Sequence, residues 1–422
     1  MKQLLSLIIL LCPCLAFGQA DGGGRPVAAQ KLIYLPDSLR PFNLHDDRAE
    51  WSWRHSAQTQ NLVFFWQQGF GNDPYHAPAL KGQPMSFNLG NLQVRLEHFY
   101  HYFRDTLQFS LPGSLCDRYK MMVMVNYSLD GTAYGGTYDD FIGALWVSPN
   151  RIQDTKLNAL AHELGHSFQL QIVADKAGEA WGGSGFYEMT SQWMLWRVNP
   201  DWIHDEQYHF DAFRKLTHKG FLAMDNIYHS PYVIEWWAEK RGLPSIAALY
   251  RAGKVGEDPV VTYKRLYGLT QQQFNDEMFD CYRHLVDFDF QYARANTRAF
   301  ACTFDTPMQS LGKGWMRPDS AHTPENYGFN AIKMALPQSG QSRVAVDFRA
   351  LSDLGYRYGW VGVTQDGRCL YSKTASKSRG TLVFQLPKNT PLKALYLIVM
   401  GAPSSHDLDP SSRQFPYEIK VK

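Results

Sequence analysis

Beyond its first twenty residues the 422-residue chain has no long apolar run, no surplus of either charge and few cysteines, and each shortage removes a class of protein. No later stretch approaches the roughly 18 uninterrupted apolar residues that a membrane-crossing helix needs, so no integral membrane segment is expected there. Lysine and arginine number 42 against 40 aspartate and glutamate, with no dense basic block, so a nucleic-acid partner is not expected. Internal repeats and low-complexity tracts are absent as well. Past the first twenty residues the only cysteines are Cys116, Cys281, Cys302 and Cys369. They lie far apart and form no CxxC pair, a spacing that disfavours a thiolate zinc site.

The first twenty residues read MKQLLSLIILLCPCLAFGQA. Lys2, an apolar core of about a dozen residues and a small-residue end at Gly18-Gln19-Ala20 make the pattern of a secretory signal peptide. Cys12 and Cys14 follow Leu11 and Pro13 rather than small residues, which favours soluble export, periplasmic or extracellular, over a lipid anchor. In an oxidising compartment the four remaining cysteines can form one or two bridges, with three pairings if all four join. Cys281 with Cys302 would close a short loop; buried free thiols are the other reading. The length implies two or three domains with ample core. Aromatics at 14% supply that core and leave some for a sugar- or peptide-binding face.

Along the chain the expected class is α+β. Residues 21–111 read as a mixed α/β region, with strands at 51–53 and 61–66, a turn at 69–74 and helical spacing over 92–106. Residues 112–300 carry a buried strand at 121–127 and another strand at 141–149 stopped by Pro149-Asn150. A largely helical stretch runs over 201–290, where Thr270 and Gln273 form a capping box. From residue 301 the apolar period changes to two, with strands at 343–348, 358–364, 381–386, 392–400 and 417–421 and turns such as Gln365-Asp366-Gly367. That spacing predicts a C-terminal antiparallel β-sandwich over 301–422.

The chain is organised around His162-Glu163-Leu164-Gly165-His166. On a helix, histidines four apart project from one face and can converge on one ion, while Glu163 reaches a water beside it. Leu157, Leu160, Ala161, Leu164 and Phe168 recur at helical spacing and give the segment an apolar side to bury. Gly165 interrupts a good helix at a cost of roughly 1 kcal/mol, which points to close approach of another backbone. A second helix is expected over 186–198, with Glu188 in its first turn, 22 residues past His166, and Gln192 one turn on, facing the same way. A carboxylate near a helix start also suits the dipole without any ligand role. Gln192 is placed to hold a ligand histidine by hydrogen bond. For an oxyanion donor, Tyr228, His229 and Tyr232 come at a plausible distance, and His229 and Tyr232 are the preferred pair.

HELGH followed by Glu188 on a second helix resembles the gluzincin branch of zinc metallopeptidases. The resemblance implies one Zn2+ per chain held by His162, His166 and Glu188, with Glu163 as general base. It further implies a strand at Gly143, Ala144, Leu145 and Trp146 whose free edge pairs with substrate, and a metallopeptidase-like catalytic domain over 112–300. Where many gluzincins carry Asp one turn past the ligand glutamate, this chain has Gln192. More narrowly, the WSW and FFW stretches, the HELGHSFQ helix and Met400-Gly401-Ala402-Pro403 are similar to a family of exported bacterial proteins described as a domain of unknown function. The expected activity is therefore peptide-bond hydrolysis in a protein or glycoprotein substrate. The rival readings are a glycan or cell-surface binding protein on such a fold, and zinc-dependent hydrolysis of a non-peptide amide or ester.

Overall fold

Five strands of the N-terminal half form one sheet, and its order decides where the HELGH helix lands. The computed structural model describes residues 30–179, 181, 185–338, 340–408 and 413–422. The expected export leader, residues 1–20, lies outside the described residues. The strands are β1 (Ser56–Gln58), β2 (Leu62–Trp66), β3 (Met121–Val125), β4 (Ala133–Tyr138) and β5 (Ile142–Val147), in the order β1-β2-β3-β5-β4. The three central strands are parallel and the two outer ones antiparallel to their neighbours. β2 and β3 are apolar at every position because both faces of the sheet are covered. Phe64 and Val123 face the helices, whereas Phe65 and Met124 face a lid of Leu39, Leu44 and Trp51.

The stretch expected as a strand at 51–53 belongs to that lid. Trp51 is buried against the sheet's outer face and Trp53 opens a single 3-10 turn, its ring 5.2 Å from Phe65. These large apolar side chains cover the sheet instead of joining it.

A second correction concerns Gly143, Ala144, Leu145 and Trp146, whose edge was expected to be free. β5 is paired on both sides, Ala144 opposite Met122 of β3 and opposite Gly136 of β4, so it has no backbone to offer. The unpaired edge on this side of the sheet belongs to β4, a strand the sequence hides as AYGGTY, with two glycines where strand formers are the rule.

The helices are α1 (Leu89–His101), α2 (Leu115–Arg118), α3 (Asn158–Ala174), α4 (Phe186–Val198), α5 (Trp202–Asp205), α6 (Gln207–Lys215), α7 (Tyr232–Arg241), α8 (Ser245–Ala252), α9 (Pro259–Tyr267) and α10 (Gln271–Leu285). α3 docks on the sheet through Ser167, whose hydroxyl donates to the Ala144 carbonyl at 2.8 Å, and Gln171, whose Oε1 accepts from the Gly143 N–H at 2.8 Å. Thr270 and Gln273 form the reciprocal capping box that opens α10.

The C-terminal strands are β6 (Met308–Gly312), β7 (Trp315–Pro318), β8 (Phe329–Lys333), β9 (Arg343–Ala350), β10 (Tyr356–Thr364), β11 (Cys369–Tyr371), β12 (Arg379–Gln385), β13 (Leu392–Gly401) and β14 (Tyr417–Val421). They make two antiparallel sheets, β11-β10-β13-β8 and β12-β9-β14-β7-β6, that share an apolar layer including Phe348, Trp360 and Val399. The other face of the four-stranded sheet, with Val361, Tyr396 and Ile398, joins the core of the helices. β10 is consequently buried at every position, whereas β12 alternates. The molecule is thus a mixed α+β fold. Cys116, Cys281, Cys302 and Cys369 are free thiols, and Cys302 and Cys369 both donate to the Asp287 carboxylate, at 3.0 and 3.6 Å.

Candidate metal centre

α3 and α4 cross closely at Gly165, where a Cβ would lie 2.9 Å from Ser191 Oγ and 3.3 Å from Met194 Sδ. The missing side chain lets α4 approach until Glu188 reaches the histidine face of α3. His162 Nε2 lies 3.0 Å and His166 Nε2 3.1 Å from Glu188 Oε2, and the two nitrogens are 3.0 Å apart. These three residues form a cluster able to hold a metal ion.

Two glutamines settle which nitrogen each imidazole presents. Gln192 Nε2 donates to the Tyr228 carbonyl at 3.1 Å, and a carbonyl can only accept. The amide oxygen must therefore face His162 Nδ1, 2.8 Å away, which donates. Gln169 repeats the arrangement: its Nε2 donates to the Tyr187 carbonyl at 3.1 Å and its Oε1 accepts from His166 Nδ1 at 3.1 Å. In its neutral form each imidazole therefore presents an unprotonated Nε2, and with Glu188 Oε2 these atoms stand about 3 Å from one another. Positive charge placed among them, as a metal ion or as a proton on an imidazole, offsets the repulsion of their lone pairs. Ligands at about 2.0–2.1 Å in a tetrahedron lie roughly 3.3 Å apart, close to the spacing seen. Two neutral imidazoles and a carboxylate suit a borderline divalent ion.

The titration of the cluster expresses the same demand for positive charge. Burial alone would raise the Glu188 carboxyl, but hydrogen bonds from His162 and His166 outweigh it and hold that carboxyl far below the usual range. Burial alone would lower His166, and the hydrogen bond and charge of Glu188 raise it instead. A proton on His166 and a metal ion are thus alternative ways to satisfy one charge requirement.

Glu163 lies beside the ligand cluster, near enough to feel the charges of His162, His166 and Glu188, and its Oε2 accepts from the Gly135 N–H of β4 at 2.8 Å. A Cβ on Gly135 would sit 1.8 Å from the Glu163 carbonyl oxygen, so only glycine permits this contact. Burial pushes the Glu163 carboxyl up, while His162 and His166 pull it down less strongly. Tyr228 is 43% exposed, with its ring 6.2 Å from that of His162. Its hydroxyl is pushed up by burial and then by the charge and hydrogen bond of Glu188.

The model of a family described as a family of unknown function (DUF6055) matches residues 25–422. The chain belongs to that family. Nothing among curated proteins matches it. Among solved structures, one of AlgX from Pseudomonas aeruginosa shares 18% identity at a TM-score of 0.15. The match covers 28% of this chain and 26% of that one, so it spans about a quarter of the length of each.

In this DUF6055 chain the remaining site candidates fall at different depths. Gln192 touches His162 directly. His229 stands two steps back: its Nδ1 lies 2.7 Å from His209 Nδ1, and His209 Nε2 accepts from Gln192 at 3.3 Å. Burial, and then the neighbouring His209, lower the affinity of His229 for a proton. Tyr232, preferred as an oxyanion donor, is placed otherwise. It is fully buried among Trp196, Phe213 and Phe288, and its hydroxyl has no partner among the described residues. Starting α7 turns that side chain into the apolar core, and Tyr228 is the tyrosine left facing the cluster. Sequence reasoning passed over Gln169, although its position three residues after His166 on one helical face was a usable signal. His209 had no such signal, since only the path of the chain brings it to Gln192.

Proposed function

We propose that the chain is a gluzincin-like zinc metallopeptidase that cleaves peptide bonds in protein or glycoprotein. The observation that carries this reading is the meeting of three possible ligand atoms, His162 Nε2, His166 Nε2 and Glu188 Oε2, with both imidazoles oriented by glutamines. Zinc held there supplies Lewis acidity, polarising a scissile carbonyl and acidifying water. Glu163, with its proton affinity already raised, takes a proton from water and returns it to the leaving amine. Tyr228 donates to the oxyanion as the carbonyl carbon becomes tetrahedral. The free edge of β4 runs beside Glu163 and receives an extended peptide by main-chain pairing, whatever the peptide's side chains. The two facing C-terminal sheets are read as a β-sandwich accessory, and residues 1–20 as an export leader.

A binding protein built on the same fold is the second reading. Against it stands Glu163, because holding an ion needs no carboxylate kept beside the cluster with a raised proton affinity. Zinc loading followed by incubation with casein tests the proposal. Release of peptides by the wild type and its loss in Glu163→Ala, with zinc retained, is the expected outcome. Zinc bound in stoichiometric amount without release of peptides from casein or a broad peptide library contradicts it.

A further inference from the structure

The face of the five-stranded sheet turned away from the four-stranded one is rich in cations. Strand register assigns its side chains: Arg379 lies opposite Arg349, which lies opposite Glu418, and Thr381 opposite Asp347, which lies opposite Lys420. Lys420 in turn lies opposite Trp315, so Arg317, two residues further along β7, shares the face, as do Arg343 and Lys422 by alternation. Six cationic side chains thus share the sheet with two carboxylates, in a chain whose overall totals are 42 and 40. The surplus is a property of this face and not of the composition.

Two of the six are neutralised locally, Arg349 by Glu418 and Lys422 by Asp347 at 2.9 Å. Arg317, Arg343, Arg379 and Lys420 make no ion pair among the described residues, and the three arginines are exposed. The juxtaposition of Arg379 with Arg349 matters most. Like charges directly opposite one another in a sheet destabilise it, and here Glu418 compensates Arg349 from the other side while Arg379 is left without a counter-charge among the described residues. The Arg349 guanidinium is stacked 4.3 Å over Trp315, which fixes its plane.

We propose that this face binds an acidic polysaccharide, one bearing a carboxylate or sulfate on its repeating sugars. Arginine forks spread over a flat surface recognise planar anions two hydrogen bonds at a time, and strands roughly 4.8 Å apart repeat that offer along a thin chain. A nucleic acid asks for stacking aromatics or an element that enters a groove, and the aromatic ring on this face, Trp315, lies under Arg349. A membrane surface asks for clustered apolar anchors beside the cations, whereas the exposed apolar side chains here, Val383 on β12, Leu351 just past β9 and Leu311 on β6, are scattered from one edge strand to the other. The four-stranded sheet stands between this face and α10, so a bound chain leaves the metal cluster uncovered.

Native gels cast with polygalacturonate, and parallel gels with dextran, test the assignment on the full chain. Retardation by polygalacturonate alone is expected, fading at high salt as the Debye length shrinks. The Arg317→Glu, Arg343→Glu, Lys420→Glu triple variant is expected to lose at least about tenfold in apparent affinity with its melting temperature little changed. A control triple variant of exposed lysines elsewhere, Lys81→Glu, Lys176→Glu, Lys254→Glu, keeps its binding. No retardation of the wild type, equal retardation of wild type and face variant, equal loss in the control variant, or tighter binding to duplex DNA or anionic vesicles overturns the proposal.

Discussion

Gln192 Oε1 accepts a hydrogen bond from His162 Nδ1 at 2.8 Å, and that contact sets the second imidazole nitrogen of His162 against Glu188. The partner of His162 is an amide that is itself held by the Tyr228 carbonyl and by His209. Replacing Gln192 by leucine frees the ring to rotate and change tautomer. Zinc affinity is expected to fall about 10–100-fold, as is usual for the partner of a ligand histidine. Gln169→Leu is expected to do the same through His166, and competition with a chromophoric chelator measures both.

Tyr228 and Tyr232 separate catalysis from stability. Tyr228→Phe removes the hydroxyl beside Glu188 and is expected to lower kcat by about 10²–10³ while zinc binding persists. Tyr232→Phe removes a buried hydroxyl that has no partner among the described residues, so turnover is expected to be unchanged and the melting temperature equal or slightly higher. Steady-state kinetics and thermal melts of the two variants, side by side, check this. A larger kinetic loss in Tyr232→Phe reverses the assignment.

Gly135 is the point where the edge strand meets the motif helix. A methyl group there collides with the Glu163 carbonyl, a backbone atom that cannot swing aside. Gly135→Ala is expected to cost about 1–3 kcal/mol or more by overpacking and to lower activity further by moving β4 from Glu163. Equal stability and activity in chemical denaturation and casein assays would show that the two elements do not touch.

Glu239 gives the pH dependence of stability a defined sign. Burial raises its carboxyl from 4.5 to about 7, with the Tyr292 N–H opposing. The folded state binds this proton more tightly than the unfolded one, so the stabilisation is fully present below the unfolded value of 4.5. It is lost as pH rises through about 7. The melting temperature should fall between those limits more steeply in the wild type than in Glu239→Gln. Parallel slopes would place the titration elsewhere.

How much of this was legible in the sequence follows from which forces are local. The HELGH helix and the helix bearing Glu188 were legible because ligand spacing and apolar spacing share one period, and Gly165 already signalled a close crossing. The strands expected at 343–348 and 381–386 were legible by alternation and form as Arg343–Ala350 and Arg379–Gln385. β4 was not, because its glycines serve the approach of Glu163 and not strand propensity. The choice among Tyr228, His229 and Tyr232 was also beyond a sequence reading. It turns on where α7 begins, which packing against Trp196 and Phe288 decides. For the same reason β5 passed for an edge strand, since the partner that covers it carries no apolar signature.

The central claim is that His162, His166 and Glu188 close around one zinc ion. Zinc K-edge X-ray absorption of metal-stripped protein reloaded with zinc tests it most directly. The predicted result is one zinc per chain with nitrogen and oxygen neighbours at about 2.0–2.1 Å and no sulfur, lost in His166→Ala. Failure to retain zinc, or a shell containing sulfur near about 2.3 Å, would contradict it.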